Sequence, residues 1–218
     1  DDVDWVGDSY ILHRFEDYKI IDSAQKVERD QFKKEANPED LMIFSFYPTK
    51  PVGSIDGGMI VSNDKSKIDW FKSAVLNGTV FSKNNWEREI LFPGWKSYLS
   101  SSQAFIAQKN LEKLEDKNAK LDRIRSQYNL ELGLENTSRH LYRICTENRD
   151  EFIKKMRSRK ITCGIHYKPM HLNKTYCKDR IVLERSEEEG SKTVSIPFHE
   201  MLTDSEVSYI IKCCKELL

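Results

Sequence analysis

The sequence predicts an α/β fold, in which helices cover a sheet of buried strands. Three short apolar runs of strand length lie in the first half of the chain, at residues 18–22, 41–46 and 58–62. Polar residues follow these runs, as is typical of strands that are buried on both faces. A long segment of helical periodicity begins at residue 100. The length of 218 residues allows one to two domains with a sizeable core.

The helices of the first half have clear boundaries in the sequence. Asn63-Asp64 offers a helix cap, and apolar residues then recur at helical spacing until Asn77-Gly78. Residues 79–99 are rich in aromatic side chains and show no regular period, which predicts a loop. Residues 100–127 carry a helical stripe that no Pro or Gly interrupts, which predicts one long helix.

A second unit follows a break at residues 133–138. Its pattern predicts, in order, a strand, a helix, a strand, a further strand after a loop, and a final helix, at residues 140–145, 149–158, 162–167, 193–196 and 203–217. Thr203 and Glu206 have the spacing of a capping box for the final helix. We therefore expect two domains, residues 1–127 and residues 128–218.

Composition argues against several classes of protein. Lys plus Arg and Asp plus Glu each number 35, so the formal net charge of zero argues against a nucleic-acid partner. No apolar stretch is long enough to span a membrane and no signal peptide is visible, so we expect no membrane partner. The five cysteines show no paired metal-ligand spacing and favour free thiols, which predicts a cytoplasmic location. The chain opens on Asp1 without an initiator Met, and we expect its beginning to lie elsewhere.

Two candidate functional residues lie after predicted strands. Asp22 occupies the strand end where open α/β sheets bind ligands, although an acid there also commonly caps the next turn. Lys50 lies in the loop between the second and third strands. Desolvation there would favour the neutral amine that Schiff-base chemistry requires, and an ordinary surface lysine is the alternative. Ser45, at a strand end five residues before the lysine, can offer a hydroxyl to a phosphate.

A third candidate segment carries two histidines. His166 and His171 are five residues apart on an extended stretch without a suitably spaced carboxylate or thiolate, so we expect no metal site. A purely structural hydrogen bond within a strand is the alternative role for His166.

Six segments, taken together and in this order, resemble the DegT/DnrJ/EryC1/StrS family of sugar aminotransferases. They cover nearly the whole chain from about residue 18 and read Ile21-Asp22-Ser23-Ala24-Gln25, Phe44-Ser45-Phe46-Tyr47-Pro48-Thr49-Lys50, Asp56-Gly57-Gly58-Met59-Ile60-Val61-Ser62-Asn63-Asp64, Gln108-Lys109-Asn110-Leu111-Glu112-Lys113-Leu114, Ile165-His166-Tyr167-Lys168-Pro169-Met170-His171 and Val194-Ser195-Ile196-Pro197-Phe198-His199. Each motif alone is weak, but six in the family's order are specific.

The resemblance implies the pyridoxal 5′-phosphate (PLP)-dependent transferase fold, which is aspartate-aminotransferase-like and of fold type I. It implies a large domain that is incomplete at its N-terminus and a small C-terminal α/β domain. Lys50 would hold PLP as a Schiff base and then carry the proton of transamination. Asp22 would pair with the pyridine nitrogen, Gln25 would lie against the ring or its phenolic oxygen, and Ser45 would bind the phosphate.

Further roles follow from the same resemblance. Some relatives carry histidine at the lysine position and act as dehydratases, and Lys50 argues against that branch. The family's usual Gly-aromatic-Asn-aromatic-Arg segment reads Gly94-Trp95-Lys96-Ser97-Tyr98 here. Lys96 stands at the Asn position, where it would either meet the phosphate of the neighbouring subunit's cofactor as a point charge or leave that contact absent. His166 and Tyr167 are expected to contact the sugar.

The implied reaction transfers an amino group from glutamate to a keto-deoxysugar linked to a nucleoside diphosphate, with carbon 4 preferred over carbon 3. Relatives share active sites across a dimer interface, so we expect a homodimer. Family members also carry an N-terminal segment with a phosphate-binding turn and an aromatic residue that stacks on the ring. This sequence shows neither, so we expect that segment to be supplied by another chain, to have been removed, or to be absent.

Two alternatives stay open. The absent N-terminal segment and Lys96 favour a relative that acts as a binding or assembly partner. The joint retention of four expected cofactor residues opposes this role, namely Asp22, Gln25, Ser45 and Lys50. The cofactor residues do not specify the reaction, so a PLP enzyme of other chemistry is the second alternative.

Overall fold

A computed structural model describes residues 6–81, 86–177, 179 and 181–218. The chain forms two compact units, residues 1–114 and 115–218. Their boundary lies beside an interruption of the helical segment at Lys113, earlier than the domain boundary expected after residue 127. The opening residues 1–5, on which the expectation of an earlier beginning rests, lie outside the described residues.

The first unit is built on a four-stranded mixed sheet. Its strands lie side by side in chain order, as β1 (Tyr10–Arg14), β2 (Lys19–Asp22), β3 (Leu41–Ser45) and β4 (Gly58–Val61). The central strands β2 and β3 are parallel, whereas β1 and β4 are antiparallel to their neighbours. Because the central strands run in the same direction, their last residues, Asp22 and Ser45, lie at the same end of the sheet.

Burial differs between the centre and the edges of this sheet. Ile21, Leu41 and Met42 in the central strands are almost fully buried, as the apolar runs predicted. Met59 in β4 is 50% exposed, and Ile11 in β1 is also exposed. The expectation that the third predicted strand is buried on both faces is therefore wrong, because β4 lies at an edge of the sheet.

The described residues of the first unit also form the helices α1 (Gln31–Glu35), α2 (Lys65–Ala74) and α3 (Ser101–Glu112). Asp64 caps α2 as predicted, since its carboxylate accepts the backbone N–H groups of Ser66 and Lys67 at 2.9 and 3.1 Å. α3 begins at a capping box formed by Ser100 and Gln103.

A short hairpin lies within the segment 79–99, which was predicted as a loop. It pairs β5 (Thr79–Phe81) with β6 (Arg88–Ile90) in antiparallel register. Residues 82–85 between the two strands lie outside the described part of the chain. The prediction of a loop is therefore wrong for these two strands. All three residues of β6 are exposed, so the sequence of this strand shows no apolar period that could have predicted it.

The second unit packs helices against a two-stranded antiparallel sheet. Its elements are α4 (Leu114–Leu132), β7 (Tyr142–Cys145), α5 (Arg149–Ser158), α6 (Glu184–Lys192), β8 (Thr193–Ile196) and α7 (Asp204–Leu217). Its core centres on fully buried Tyr128, Tyr142, Met156 and Val194. The described helices of both units are each too short or too polar to cross a membrane.

Two predicted elements of this half differ from the structure. The long helix of residues 100–127 is interrupted at Lys113 and then continues to Leu132, where Gly133 ends it with a φ of +66°. The strand predicted at 162–167 is reduced to a single bridge between Gly164 and Ser195. The other strand predictions of this unit, at β7 and β8, are confirmed.

The predicted capping box of α7 is present and can be tested. The Thr203 hydroxyl accepts the backbone N–H of Glu206, and the Glu206 carboxylate accepts the backbone N–H of Thr203 at 2.8 Å. Thr203→Ala should lower the free energy of unfolding by about 1 kcal/mol, because the first turn of α7 loses a side-chain acceptor. Urea denaturation followed by circular dichroism measures this change. Ser208→Ala, in the second turn of the same helix, is the control, and an equal loss in both variants would contradict the capping role.

Candidate active site

Asp22 ends β2, and its carboxylate is held from two sides. Oδ1 accepts the backbone N–H of Ala24 at 2.8 Å, and Oδ2 accepts the phenolic hydroxyl of Tyr10 at 3.0 Å. The first contact is the turn cap that the sequence left open as an alternative. Since each carboxylate oxygen has more than one lone pair, Asp22 keeps the capacity to accept a further donor.

Lys50 lies in a loop that is fixed at several points against α3. The buried side chain of Val52 packs with Ala107 and Leu114 in a small apolar cluster. The hydroxyl of Ser54 donates to the carbonyl of Gln103 at 2.8 Å. The backbone N–H of Ser54 also donates to the carbonyl of Phe46 at 2.8 Å, so the loop is held both at its start after β3 and against α3.

A second clamp on the same loop comes from a side chain of α3. The amide of Asn110 donates to the carbonyl of Gly53 at 2.6 Å. Within the loop, the backbone N–H of Lys50 donates to the carbonyl of Tyr47 at 2.9 Å, which closes a turn just before the lysine. The resulting loop is short and cross-linked by hydrogen bonds rather than open.

The amine of Lys50 is half-buried and lies within the electrostatic reach of Asp22. Burial lowers the pKa of Lys50, and the negative charge of Asp22 raises that pKa in part. Among the described residues, the amine has no hydrogen-bond partner. A desolvated amine without a partner is the state in which a lysine can act as a nucleophile or a base.

Ser45 lies at the same end of the sheet as Asp22, at the end of the neighbouring strand. Its half-buried hydroxyl accepts the backbone N–H of Tyr47 at 3.3 Å, a long contact that leaves the hydroxyl proton available to an acceptor. The arrangement therefore agrees with the expected position of Ser45, at the start of the loop that carries Lys50.

Gln25 follows Asp22 in the turn after β2. Its Oε1 accepts the backbone N–H of Gly7 at 2.9 Å, which ties the side chain to the segment before β1. Next to it, the fully buried hydroxyl of Ser23 contacts the hydroxyl of Ser9 at 2.8 Å. The turn that carries both expected ring-binding residues is thus fixed by hydrogen bonds on its inner side.

Lys96 is exposed, and its backbone is held firmly beside the end of α2. The N–H of Trp95 donates to the carbonyl of Ala74 at 2.7 Å, and Lys96 itself pairs with Leu76 in an isolated bridge. At Gly94 a Cβ would lie 2.1 Å from the backbone nitrogen of Gly78. These two backbone segments therefore approach so closely that only glycine fits at residue 94. The backbone at residue 96 is therefore fixed while its side chain is open to solvent.

The two expected sugar-binding residues lie in the second unit. The Nδ1 atom of His166 is 2.9 Å from the hydroxyl of Ser195, which is the structural hydrogen bond left open as an alternative. Burial, and then the charge of Arg143, lower the pKa of His166, so its neutral form is favoured. Tyr167 is 53% exposed.

Sequence reasoning did not identify Tyr10. The residue lies in β1, directly opposite Asp22 in the antiparallel pairing with β2. The available signal was the apolar triplet Tyr10-Ile11-Leu12, which is separated from the run 18–21 by the acidic, turn-forming pair Glu16-Asp17. A triplet is shorter than most strands, which is why the hairpin was not predicted.

The charge of Asp22 and the amine of Lys50 give a direct test of this geometry. Asp22→Asn should lower the pKa of Lys50 further, because it removes the charge that raises that pKa while burial stays the same. The measurement is the pH titration of the Lys50 Cε resonance by ¹³C NMR, assigned with Lys50→Arg.

Asp56→Asn is the matched control, since this exposed acid lies in the same loop and caps its own turn at Gly57. We expect the titration of Lys50 to be unchanged in this variant. A rise of the Lys50 pKa in Asp22→Asn, or equal changes in both variants, would contradict the proximity of Asp22 and Lys50.

Comparisons with known proteins identify the fold and the family. The chain matches the DegT/DnrJ/EryC1/StrS aminotransferase family over residues 18–215. It is 27% identical over 212 residues to a UDP-4-amino-4,6-dideoxy-N-acetyl-beta-L-altrosamine transaminase of Campylobacter jejuni, a match that covers 88% of this chain and 56% of that protein.

Two solved structures show the same fold. An aminotransferase of the DegT DnrJ EryC1 StrS type from Brucella abortus is 28% identical with a TM-score of 0.76, over 90% of this chain and 56% of that chain. Spr1654 from Streptococcus pneumoniae, in its PMP form, is 21% identical with a TM-score of 0.76, over 85% of this chain and 55% of that chain. The latter protein has also been solved in its PLP form.

The fold is that of the PLP-dependent aminotransferases of fold type I, which confirms the expected fold class. The chain belongs to the DegT/DnrJ/EryC1/StrS aminotransferase family, and this family depends on PLP. The chain spans about half the length of the curated relatives that it matches.

The chemistry of the side chains at the carboxyl end of the sheet fits PLP. Lys50 provides a desolvated amine for a carbonyl carbon, and Asp22 provides a carboxylate with remaining acceptor capacity for a protonated ring nitrogen. Ser45 provides a hydroxyl for a phosphate oxygen. Each of these groups is of the type that the corresponding part of the cofactor requires.

Proposed function

We propose that this protein acts as a PLP-dependent nucleotide-sugar aminotransferase, which moves an amino group from glutamate to a keto-deoxysugar linked to a nucleoside diphosphate. The single observation that carries the proposal is the half-buried amine of Lys50 within reach of the Asp22 charge, at the carboxyl end of two parallel strands. Family membership supports the reaction class, and the Campylobacter jejuni relative supports the sugar class.

Lys50 and Asp22 take the central roles in this proposal. When bound, PLP supplies an aldehyde for covalent attachment and a ring that withdraws electrons from the reacting carbon. Lys50 holds the cofactor through Nζ and, once released, takes up and returns the proton at the reacting carbon. Asp22 keeps a proton on the ring nitrogen, which preserves the ring's capacity to withdraw electrons.

The remaining residues orient the cofactor. Ser45 donates its hydroxyl to the phosphate, and Gln25 lies against the ring or its phenolic oxygen. Lys96, whose backbone is fixed and whose amine is exposed, supplies a positive charge to a phosphate of the neighbouring subunit. These three assignments follow the resemblance of the motifs and agree with the chemistry of the side chains.

The sugar is assigned to His166 and Tyr167 of the second unit. The neutral imidazole and the exposed phenol are both able to donate to or accept from sugar hydroxyls. The name of the Campylobacter jejuni relative describes a 4-amino-4,6-dideoxy sugar, which supports carbon 4 as the position that is aminated. All described cysteines are free thiols, which supports a cytoplasmic location.

The cofactor assignment is tested by covalent trapping. Lys50→Ala should abolish the adduct that forms when the protein is mixed with one equivalent of PLP and reduced with borohydride, because the variant lacks the half-buried amine that the proposal assigns to the cofactor. Peptide mass spectrometry of the reduced protein measures the loss and assigns the modified residue.

Lys72→Ala is the matched control, since this exposed lysine of α2 pairs only at the surface with Asp69. The control should keep the full adduct. Persistence of the adduct in Lys50→Ala would reject the assignment. Incubation of the unaltered protein with glutamate and nucleotide-linked keto-deoxysugars then separates a transaminase from a PLP enzyme of other chemistry and from a non-catalytic binding partner.

We also propose that the protein is a homodimer. The interface would include a set of exposed apolar side chains between residues 70 and 98 of the first unit, which we call the aromatic surface because most of them are aromatic. The side chains of this surface are apolar and strongly exposed in the single chain, and they comprise Trp70, Trp86, Ile90, Leu91, Trp95 and Tyr98. A monomer rarely exposes so many large apolar groups on one stretch of chain, and such patches mark protein–protein contacts. Lys96 lies within this stretch, which agrees with its expected role towards a neighbouring subunit.

A charge in the aromatic surface should weaken self-association. Ile90, in β6, is 76% exposed, so Ile90→Lys is tolerated in the single chain but places an unpaired charge in a dimer interface. We expect the dimer dissociation constant to rise at least tenfold by analytical ultracentrifugation. Leu130→Lys is the control, since Leu130 in the second unit is 81% exposed, and an unchanged dimer in Ile90→Lys would exclude this surface as the interface.

A further inference from the structure

Residues 7–10, which lead into β1, make three hydrogen bonds to residues 22–25 at the end of β2 and in the turn after it. Gly7 donates its N–H to Oε1 of Gln25 at 2.9 Å, and the hydroxyls of Ser9 and Ser23 are 2.8 Å apart. The third contact is the hydroxyl of Tyr10, which donates to Oδ2 of Asp22 at 3.0 Å. The first unit therefore supports the Asp22–Gln25 turn from a neighbouring edge strand.

A buried amide fixes this support in place. Nε2 of Gln31, whose side chain is almost fully buried, lies 2.9 Å from the hydroxyl of Ser9 and 3.1 Å from that of Ser23. Lys26 forms ion pairs with both Asp8 and Glu35 on the outer side. Because these contacts hold the segment 7–10 from both sides, Tyr10 meets Asp22 in a defined position.

We propose that Tyr10 is a positioning residue for PLP, which acts through Asp22 by fixing the orientation of the carboxylate that faces the ring nitrogen. This inference rests on the proposed function, because it needs PLP in the site. It concerns a residue outside the six segments that carry the family resemblance.

The geometry of the two donors explains why Tyr10 matters. The N–H of Ala24 holds Oδ1 from the same turn, which alone would leave the carboxylate free to rotate about its own axis. Tyr10 holds Oδ2 from a different strand, and the two residues are direct partners in the β1–β2 register. Two donors on two elements define the plane of the carboxylate, and so they define the direction in which its remaining lone pairs point.

The protonation state of Tyr10 suits this role. Burial raises the pKa of Tyr10 above its ordinary value, and the charge of Asp22 and their hydrogen bond raise it further. The phenol therefore stays protonated as a donor throughout the neutral range. Within the described part of the chain, the charge of Asp22 acts on the pKa of Tyr10 in β1 and on that of Lys50 in the loop after β3.

The contact itself is tested without the cofactor. Asp22→Asn should lower the pKa of Tyr10 towards its ordinary value, because the variant removes the neighbouring charge. The measurement is the ¹³Cζ resonance of Tyr10 against pH, assigned with Tyr10→Phe. An unchanged titration would overturn the inference at its first step.

The role towards PLP is tested with a pair of ligands. The first ligand is PLP, and the second is its 1-deaza analogue, in which a C–H group replaces the ring nitrogen. Tyr10→Phe should weaken PLP binding about fivefold, roughly 1 kcal/mol, and should leave binding of the analogue unchanged, since the analogue offers Asp22 no proton to hold. Tyr18→Phe, which removes a hydroxyl just before β2, is the matched control and should bind both ligands normally.

The outcomes separate this inference from the proposed function. Equal losses for PLP and the analogue would show that Tyr10 only supports the fold, and no loss for either would show that it does not act on Asp22. Either result would overturn the inference and leave the proposed function intact. If the unaltered protein binds neither ligand, the proposed function fails and the inference fails with it.

Discussion

The chemistry proposed for the first unit depends on how burial and a neighbouring charge act on the amine of Lys50. Burial of Lys50 removes water and favours loss of its proton, whereas the carboxylate of Asp22 acts in the opposite direction. A fully buried lysine without the acid would lose its proton more readily, and an exposed lysine would keep it at neutral pH. At Lys50 burial is the larger of the two effects, so the pKa of the amine is lowered even though the charge of Asp22 opposes the shift.

This balance is maintained by parts of the chain that are distant in sequence. Val52, Ser54 and Asn110 hold the lysine loop against α3, and Tyr10 and Ala24 hold the carboxylate. The lysine is thus positioned from the helix that follows the sheet, while the acid is positioned from the strand that precedes it. A displacement of either support would change the distance between the two charges without altering either residue.

The sequence predicted what local patterns determine. The caps at Asp64 and at Thr203 with Glu206 are predictable because a cap is determined within four residues. The strand ends indicated Asp22 and Ser45 as candidates, and the loop between two predicted strands indicated Lys50. The structure agrees with the chemistry expected at these three positions, and their roles towards PLP stay predictions.

Other features could not be found because they depend on distant or solvent-facing contacts. Tyr10 reaches Asp22 because β1 pairs with β2 in a hairpin, and an apolar triplet is too short to predict that pairing. The sequence does not predict α6 because this helix has no apolar side chain and buries none of its residues. The interruption at Lys113 leaves no signal because the apolar period continues across it.

The close backbone approach of Gly78 and Gly94 fixes the position of residue 96 without any contact from the side chain of that residue. The chain path through residue 96 is determined by main-chain hydrogen bonds and by two positions without a Cβ, none of which involves the side chain of residue 96. The side chain at residue 96 can therefore differ in length and charge while its point of attachment to the backbone stays in the same place. Side-chain chemistry and backbone position are independent at this residue.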